Sequence, residues 1–99
     1  MSQSERIQKL REVGGSVERV VEDRGGVQVI RVERIRLVTI RPGFGRRLRF
    51  DVPRVEVEFR IATAEGVLGG LRSSLLRNAR RTAEQVRKHL AAGLPARGF

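Results

Sequence analysis

The sequence predicts an α+β fold. It is a three-stranded antiparallel meander dominated by one long bent hairpin, with a short N-terminal helix and a long C-terminal amphipathic helix, in the order α-β-β-β-α. Three observations carry this reading. Apolar β-branched and aromatic residues alternate along 27–40 and again along 48–61, on either side of the turn-forming stretch Arg41-Pro42-Gly43-Phe44-Gly45-Arg46-Arg47. After Thr63 the apolar spacing changes to steps of three and four. A short stripe of the same helical spacing precedes Gly14-Gly15.

In chain order, Ser4 is placed to cap a helix running to Val13, with Ile7, Leu10 and Val13 on one stripe and Glu5 in the first turn. Gly14-Gly15 end it. The segment Ser16 to Glu22 fits either a helix stripe or a strand. A strand is favoured because valine-rich segments flanked by glycine pairs join a neighbouring sheet, and Asp23-Arg24-Gly25-Gly26 reads as a turn into Val27.

The hairpin arms then pair so that residue numbers sum to 88, with Ile40 facing Leu48, Val38 facing Phe50, Val29 facing Phe59 and Val27 facing Ile61. Both arms change apolar phase at a similar level, between Val32 and Ile35 on one and at Val52-Pro53-Arg54 on the other. A one-residue phase change turns every later side chain to the other face, which a bulge accomplishes locally. The two ends of the hairpin are therefore apolar on opposite faces. Covering both is expected to need a strongly twisted ribbon or a second subunit, so a homo-oligomer, a dimer or larger, is expected.

Leu68, Leu71, Leu75, Ala79, Thr82/Ala83, Val86 and Leu90 form the stripe of the last helix, which reaches about Ala92 and is stopped by Gly93 and Pro95. The glycines at 66, 69 and 70 weaken its first turns. One domain over 1–93 is expected, followed by a flexible tail over 94–99.

The composition is globular, and its charge narrows the function. The chain carries 21 basic and 11 acidic side chains, a formal net charge of +10. All the basic residues except Lys9 and Lys88 are arginine. The excess is confined to the hairpin, with nine basic against five acidic residues over 27–65, and to the last third, with seven against one over 66–99. A field of this size attracts polyanions, and arginine suits bidentate phosphate contact. A genome or growth temperature that enriches arginine accounts for the same bias without a ligand. No cysteine is present, which excludes disulfides and thiolate metal sites. No apolar run nears the roughly 20 residues of a membrane helix, and Met1 to Arg6 lack the apolar core of a signal peptide, so no membrane insertion and a cytoplasmic location are expected.

Two basic constellations are candidate nucleic-acid contacts. At the hairpin tip Arg41, Arg46, Arg47 and Arg49 surround Phe44, so that cations can neutralise phosphate while an apolar wedge enters a base step. In that limited sense the tip is similar to the arms of bacterial histone-like DNA-bending proteins. On the last helix Arg77, Arg80, Arg81, Arg87 and Lys88 gather away from the leucine stripe, with Glu84 the one acid among them. Solvation alone explains a charged helix face, but exposed helices usually mix signs at i,i+4 spacing.

Catalytic chemistry is thinly provided. His89, the one histidine, lies beside the leucine stripe and reads as a packing residue. Asp51, Glu56 and Glu58 with Arg60 have the alternation of a nuclease metal site, but Asp51 is out of phase and the usual lysine is missing. Cross-strand pairing of Glu56 and Glu58 with Arg31, Arg34 or Arg60 accounts for them without metal. The glycine-rich Gly66 to Ser74 lacks the Lys-Ser/Thr ending of a phosphate loop. No cofactor, metal or catalytic residue is expected.

The α-β-β-β-α order with a basic final helix is similar to that of double-stranded-RNA-binding domains. The likeness covers most of the chain as element order and almost none of it as sequence. The lysine-rich helix start of those domains has only Arg72, in Gly70-Leu71-Arg72-Ser73-Ser74, as a counterpart. The resemblance implies recognition of RNA by shape. Together these features lead to the expectation of a non-enzymatic, oligomeric protein binding RNA or DNA backbone without sequence preference. The alternative is a coat-like or scaffold-like assembly subunit whose sheet and helix make subunit contacts.

Overall fold

The computed structural model describes residues 1–43 and 48–96. Its element order is α1 (Gln3–Glu12), β1 (Ser16–Arg24), β2 (Val27–Ile40), β3 (Phe50–Thr63), β4 (Gly66–Ser73) and α2 (Leu76–Ala91). The four strands form one antiparallel meander in the order β1-β2-β3-β4. The α+β class, the N-terminal helix, β1 as a strand and the long hairpin match the sequence reading. The strand count does not: there are four rather than three.

The extra strand, β4, occupies the stretch read as the start of the last helix. β3 and β4 pair Phe59 with Ser73 and Arg60 with Arg72, then Ala62 with Val67 and Thr63 with Gly66. Between these two sets, Leu68 to Leu71 stand opposite Ile61 alone. Leu68 and Leu71 both pack against the core although they are three residues apart, which a regular strand with its period of two does not allow. The bulge with Gly69 and Gly70, the latter at φ +84°, absorbs the surplus. An i,i+3 leucine pair in a bulged strand mimics helical spacing. Leu75, expected in the helix stripe, is the N-cap residue of α2 and 52% exposed.

Both helices end as their glycines require. Gly15 N–H donates to Leu10 O at 2.7 Å and Gly14 N–H to Arg11 O at 3.3 Å. Leu94 N–H donates to His89 O at 3.2 Å and Gly93 N–H to Leu90 O at 2.9 Å. These nested six-to-one and five-to-two pairs are Schellman motifs, with Gly14 and Gly93 in the left-handed region. At the other end of α1 the cap is Ser2, whose hydroxyl accepts from Glu5 N–H at 3.2 Å, and not Ser4. Ser2 and Glu5 have the spacing of a capping box, so the helix begins earlier than expected. Gly25 and Gly26, at φ +62° and +77°, form the two-residue turn between β1 and β2.

The chain forms two compact units, Met1–Val17 with Glu33–Glu56, and Glu18–Val32 with Val57–Phe99. In the first, α1 buries Ile7 and Leu10, and Arg6 ties it to β2 through Glu33 at 2.9 Å. In the second, Val27, Val29, Phe59 and Ile61 of the sheet close on Ala79, Ala83 and Val86 of α2. The small Ala79 and Ala83, one turn apart, let the helix lie close to the strands. Val21, Val57, Leu68, Leu71, Leu76 and Leu90 complete this core. Each unit has one helix, α1 in the first and α2 in the second. At the C-terminus Ala96, in the segment read as a flexible tail, is buried.

Candidate nucleic-acid interface

On α2 the core residues Ala79, Ala83 and Val86 define the inward face. At 3.6 residues per turn, Arg77, Arg81 and Lys88 fall within about 40° of one another on the outward face. All three are exposed, and none makes an ion pair among the described residues. The other two cations expected on this face are committed elsewhere. Arg80 Nε lies 3.1 Å from Glu22 Oε2. Arg87 Nη2 lies 3.3 Å from Glu22 Oε1 and 2.7 Å from Glu84 Oε2.

Arg87 is the centre of this network. Its side chain is only 10% exposed, it donates through Nε and Nη2 to Glu84, and its Nη1 is buried without a hydrogen-bond partner. Arg24 joins from β1, with Nη2 3.2 Å from Glu84 Oε2 and Nε 3.7 Å from Glu22 Oε1. Val21 packs on the core while the adjacent Glu22 reaches α2, so two successive residues of β1 serve the same helix. The network fastens α2 to β1, buries Arg87 and pairs the still exposed Arg80 with Glu22.

The Arg87 hydrogen bond holds the Glu84 carboxyl below the usual carboxylate range, helped by the charges of Arg87, Arg24 and Lys88 against a smaller opposing desolvation. A folded-state value below the unfolded one contributes stability that is complete above the unfolded value and lost as pH falls through the folded one. Glu84→Gln is expected to flatten the acid limb of a urea-midpoint against pH curve taken from pH 7 to 3. The flattening is modest because the carboxylate is 45% exposed. Superimposable acid limbs would show that the pair contributes nothing.

At the hairpin end Arg41 follows β2 and Arg49 precedes β3, both exposed and without an ion pair among the described residues. Phe44, Arg46 and Arg47 lie outside the described residues. The apolar side chains expected to pair across the hairpin at this end are open to solvent, Val38 40%, Ile40 40%, Leu48 55% and Phe50 51%, as is Leu37 at 64%. Thr39 Oγ1 donates to Asp51 Oδ1 at 2.9 Å, and Arg34 Nη2 lies 3.5 Å from Glu56 Oε1. Both contacts join positions summing to 90, of the same parity as the register expected at 88.

The acidic residues on β3 are occupied by arginines. Glu56 meets Arg34 and Arg36, the latter at 3.7 Å, and Glu58 meets Arg60 at 3.7 Å and Arg72 at 3.5 Å. Among the described residues no group of three or more His, Asp or Glu side chains is placed to hold a metal. Arg72 sits on β4 against Glu58 rather than at a helix start, and the fourth strand breaks the α-β-β-β-α order, so the likeness to double-stranded-RNA-binding domains does not extend to the structure. His89 Nε2 lies 2.9 Å from Pro95 O, closing the turn after α2. No helix among the described residues is long and apolar enough to cross a membrane. No protein-family model, curated protein or solved structure matches the chain.

Proposed function

We propose that the protein is a non-enzymatic nucleic-acid-binding protein that holds the phosphate backbone through Arg77, Arg81 and Lys88 of α2, with Arg41 and Arg49 of the hairpin as a second contact. The observation that carries this reading is the separation of roles on α2. Its two inward-flanking arginines are ion-paired with Glu22 and Glu84, while the outward three cations make no ion pair among the described residues, Lys88 feeling Glu84 only as a nearby charge. Such a stripe supports phosphate contact in register along a backbone, and counterion release supplies the affinity. Phosphate contacts carry no base information, so binding on this stripe is indifferent to sequence.

A direct test uses the absence of Trp and Tyr. The pure protein absorbs almost nothing near 280 nm, so a strong 260 nm band in material purified at low salt, lost after nuclease digestion and dialysis, is the expected result. Titration of labelled duplex then gives an affinity that falls steeply with salt. No binding at 50 mM salt would overturn the proposal.

Exposed apolar residues at the hairpin end favour a second reading, a self-associating assembly subunit, dimeric or larger. Particles that sediment as oligomers and carry no 260 nm band would support it.

A further inference from the structure

The hairpin beyond α1 is a bare two-stranded ribbon. β2 changes from half-buried to exposed at Arg36, and β3 is exposed through Asp51 before Val52 becomes half-buried. Arg36 to Ile40 extends about 13 Å at strand rise. The Thr39–Asp51 hydrogen bond sets those residues, with Leu37, on one face. Val38, Ile40 and Phe50 therefore occupy the other, and both faces present apolar side chains to solvent. An isolated two-stranded ribbon is marginally stable in water, so a partner that covers it stabilises it.

We propose that this ribbon enters a groove of duplex DNA, an inference that rests on the nucleic-acid reading above and names its ligand. Charge decides against a second copy. Arg41 and Arg49 stand at the end of the ribbon, with Arg54 exposed nearer its base, and self-pairing brings two such sets together within a Debye length of about 8 Å. Charge also decides against a bilayer. End-on insertion drives Arg41 and Arg49 into hydrocarbon.

A DNA groove has negative walls on either side of a floor of base edges, so it offers anions to the arginines and apolar groups to one ribbon face. The B-form major groove, about 12 Å wide, admits a two-stranded ribbon, whose strands lie about 4.8 Å apart. There the face carrying Val38, Ile40 and Phe50 meets thymine methyl groups and the arginines meet flanking phosphates. The A-form major groove of RNA is too deep and narrow for this. Asp51 is the one carboxylate on the bare segment, and its bond to Thr39 holds it across the ribbon.

The test is fluorescence anisotropy on a labelled 20-base-pair DNA duplex and the RNA duplex of the same sequence, from 50 to 200 mM salt. The wild-type protein is expected to prefer DNA by about tenfold. Arg41→Ala with Arg49→Ala is expected to lower the DNA salt slope by about 1.8 and to bring the two duplexes together. Phe50→Ser is expected to lower DNA affinity with the slope unchanged. Equal wild-type affinity for the two duplexes overturns the ribbon inference and leaves the proposed function standing, whereas no binding to either overturns both. Oligomers or binding to phosphatidylserine vesicles abolished by Phe50→Ser, with DNA affinity intact, assign the ribbon to those partners instead.

Discussion

Replacing Arg87 by alanine is expected to destabilise the protein by about 2–4 kcal/mol, more than any other substitution on the α2 surface. Removing one partner of a buried ion pair costs about 3–5 kcal/mol because the other charge is left uncompensated. Here the figure is reduced because Glu84 is partly exposed and Glu22 keeps Arg80 and Arg24 as neighbours. Arg87→Met is expected to cost less, since the methionine fills the space and removes the unsatisfied Nη1. The stem of Arg87 also packs against the β1–β2 turn, where a Cβ on Gly25 would stand 2.6 Å from its Cδ. For a chain of this size the alanine variant lowers Tm by roughly 10–25 °C, followed by far-UV circular dichroism because no Trp or Tyr is present. A Tm unchanged from wild type would show that the network does not hold α2 to β1.

The split between structural and available arginines is only partly legible in the sequence. The central hairpin is readable because period-two alternation over two long arms fits a pair of strands and little else. β4 is not, since a bulge containing Gly69 and Gly70 gives Leu68 and Leu71 the spacing of a helix. Sequence spacing places Arg87 among the ligand contacts because its partner Glu22 is remote along the chain and the pairing exists only in space. A signal is nevertheless present: Arg87 lies about 40° from Ala83 around the helix, at the border of the buried face. Arg80, two turns earlier, shares that border. The bare ribbon misleads in the opposite sense. Val38, Ile40, Leu48 and Phe50 have the alternation of a covered strand, and only the structure shows them exposed.

The second large effect belongs to the outward face of α2. Arg77, Arg81 and Lys88 are exposed and make no ion pair among the described residues, so Arg77→Ala, Arg81→Ala and Lys88→Ala together leave the core untouched. Each phosphate neutralised on duplex DNA adds about 0.9 to the slope of log affinity against log salt. The triple variant is therefore expected to lose about 2.7 from that slope, with unchanged Tm. Arg80→Ala, by contrast, removes a cation already held by Glu22 and is expected to leave the slope nearly as it was. The measurement that tests the central claim most directly is this comparison of salt slopes, wild type against the triple variant, on one labelled DNA duplex. A loss of about 2.7 with the fold intact is the predicted result, and an unchanged slope would contradict it by showing that α2 does not touch the backbone.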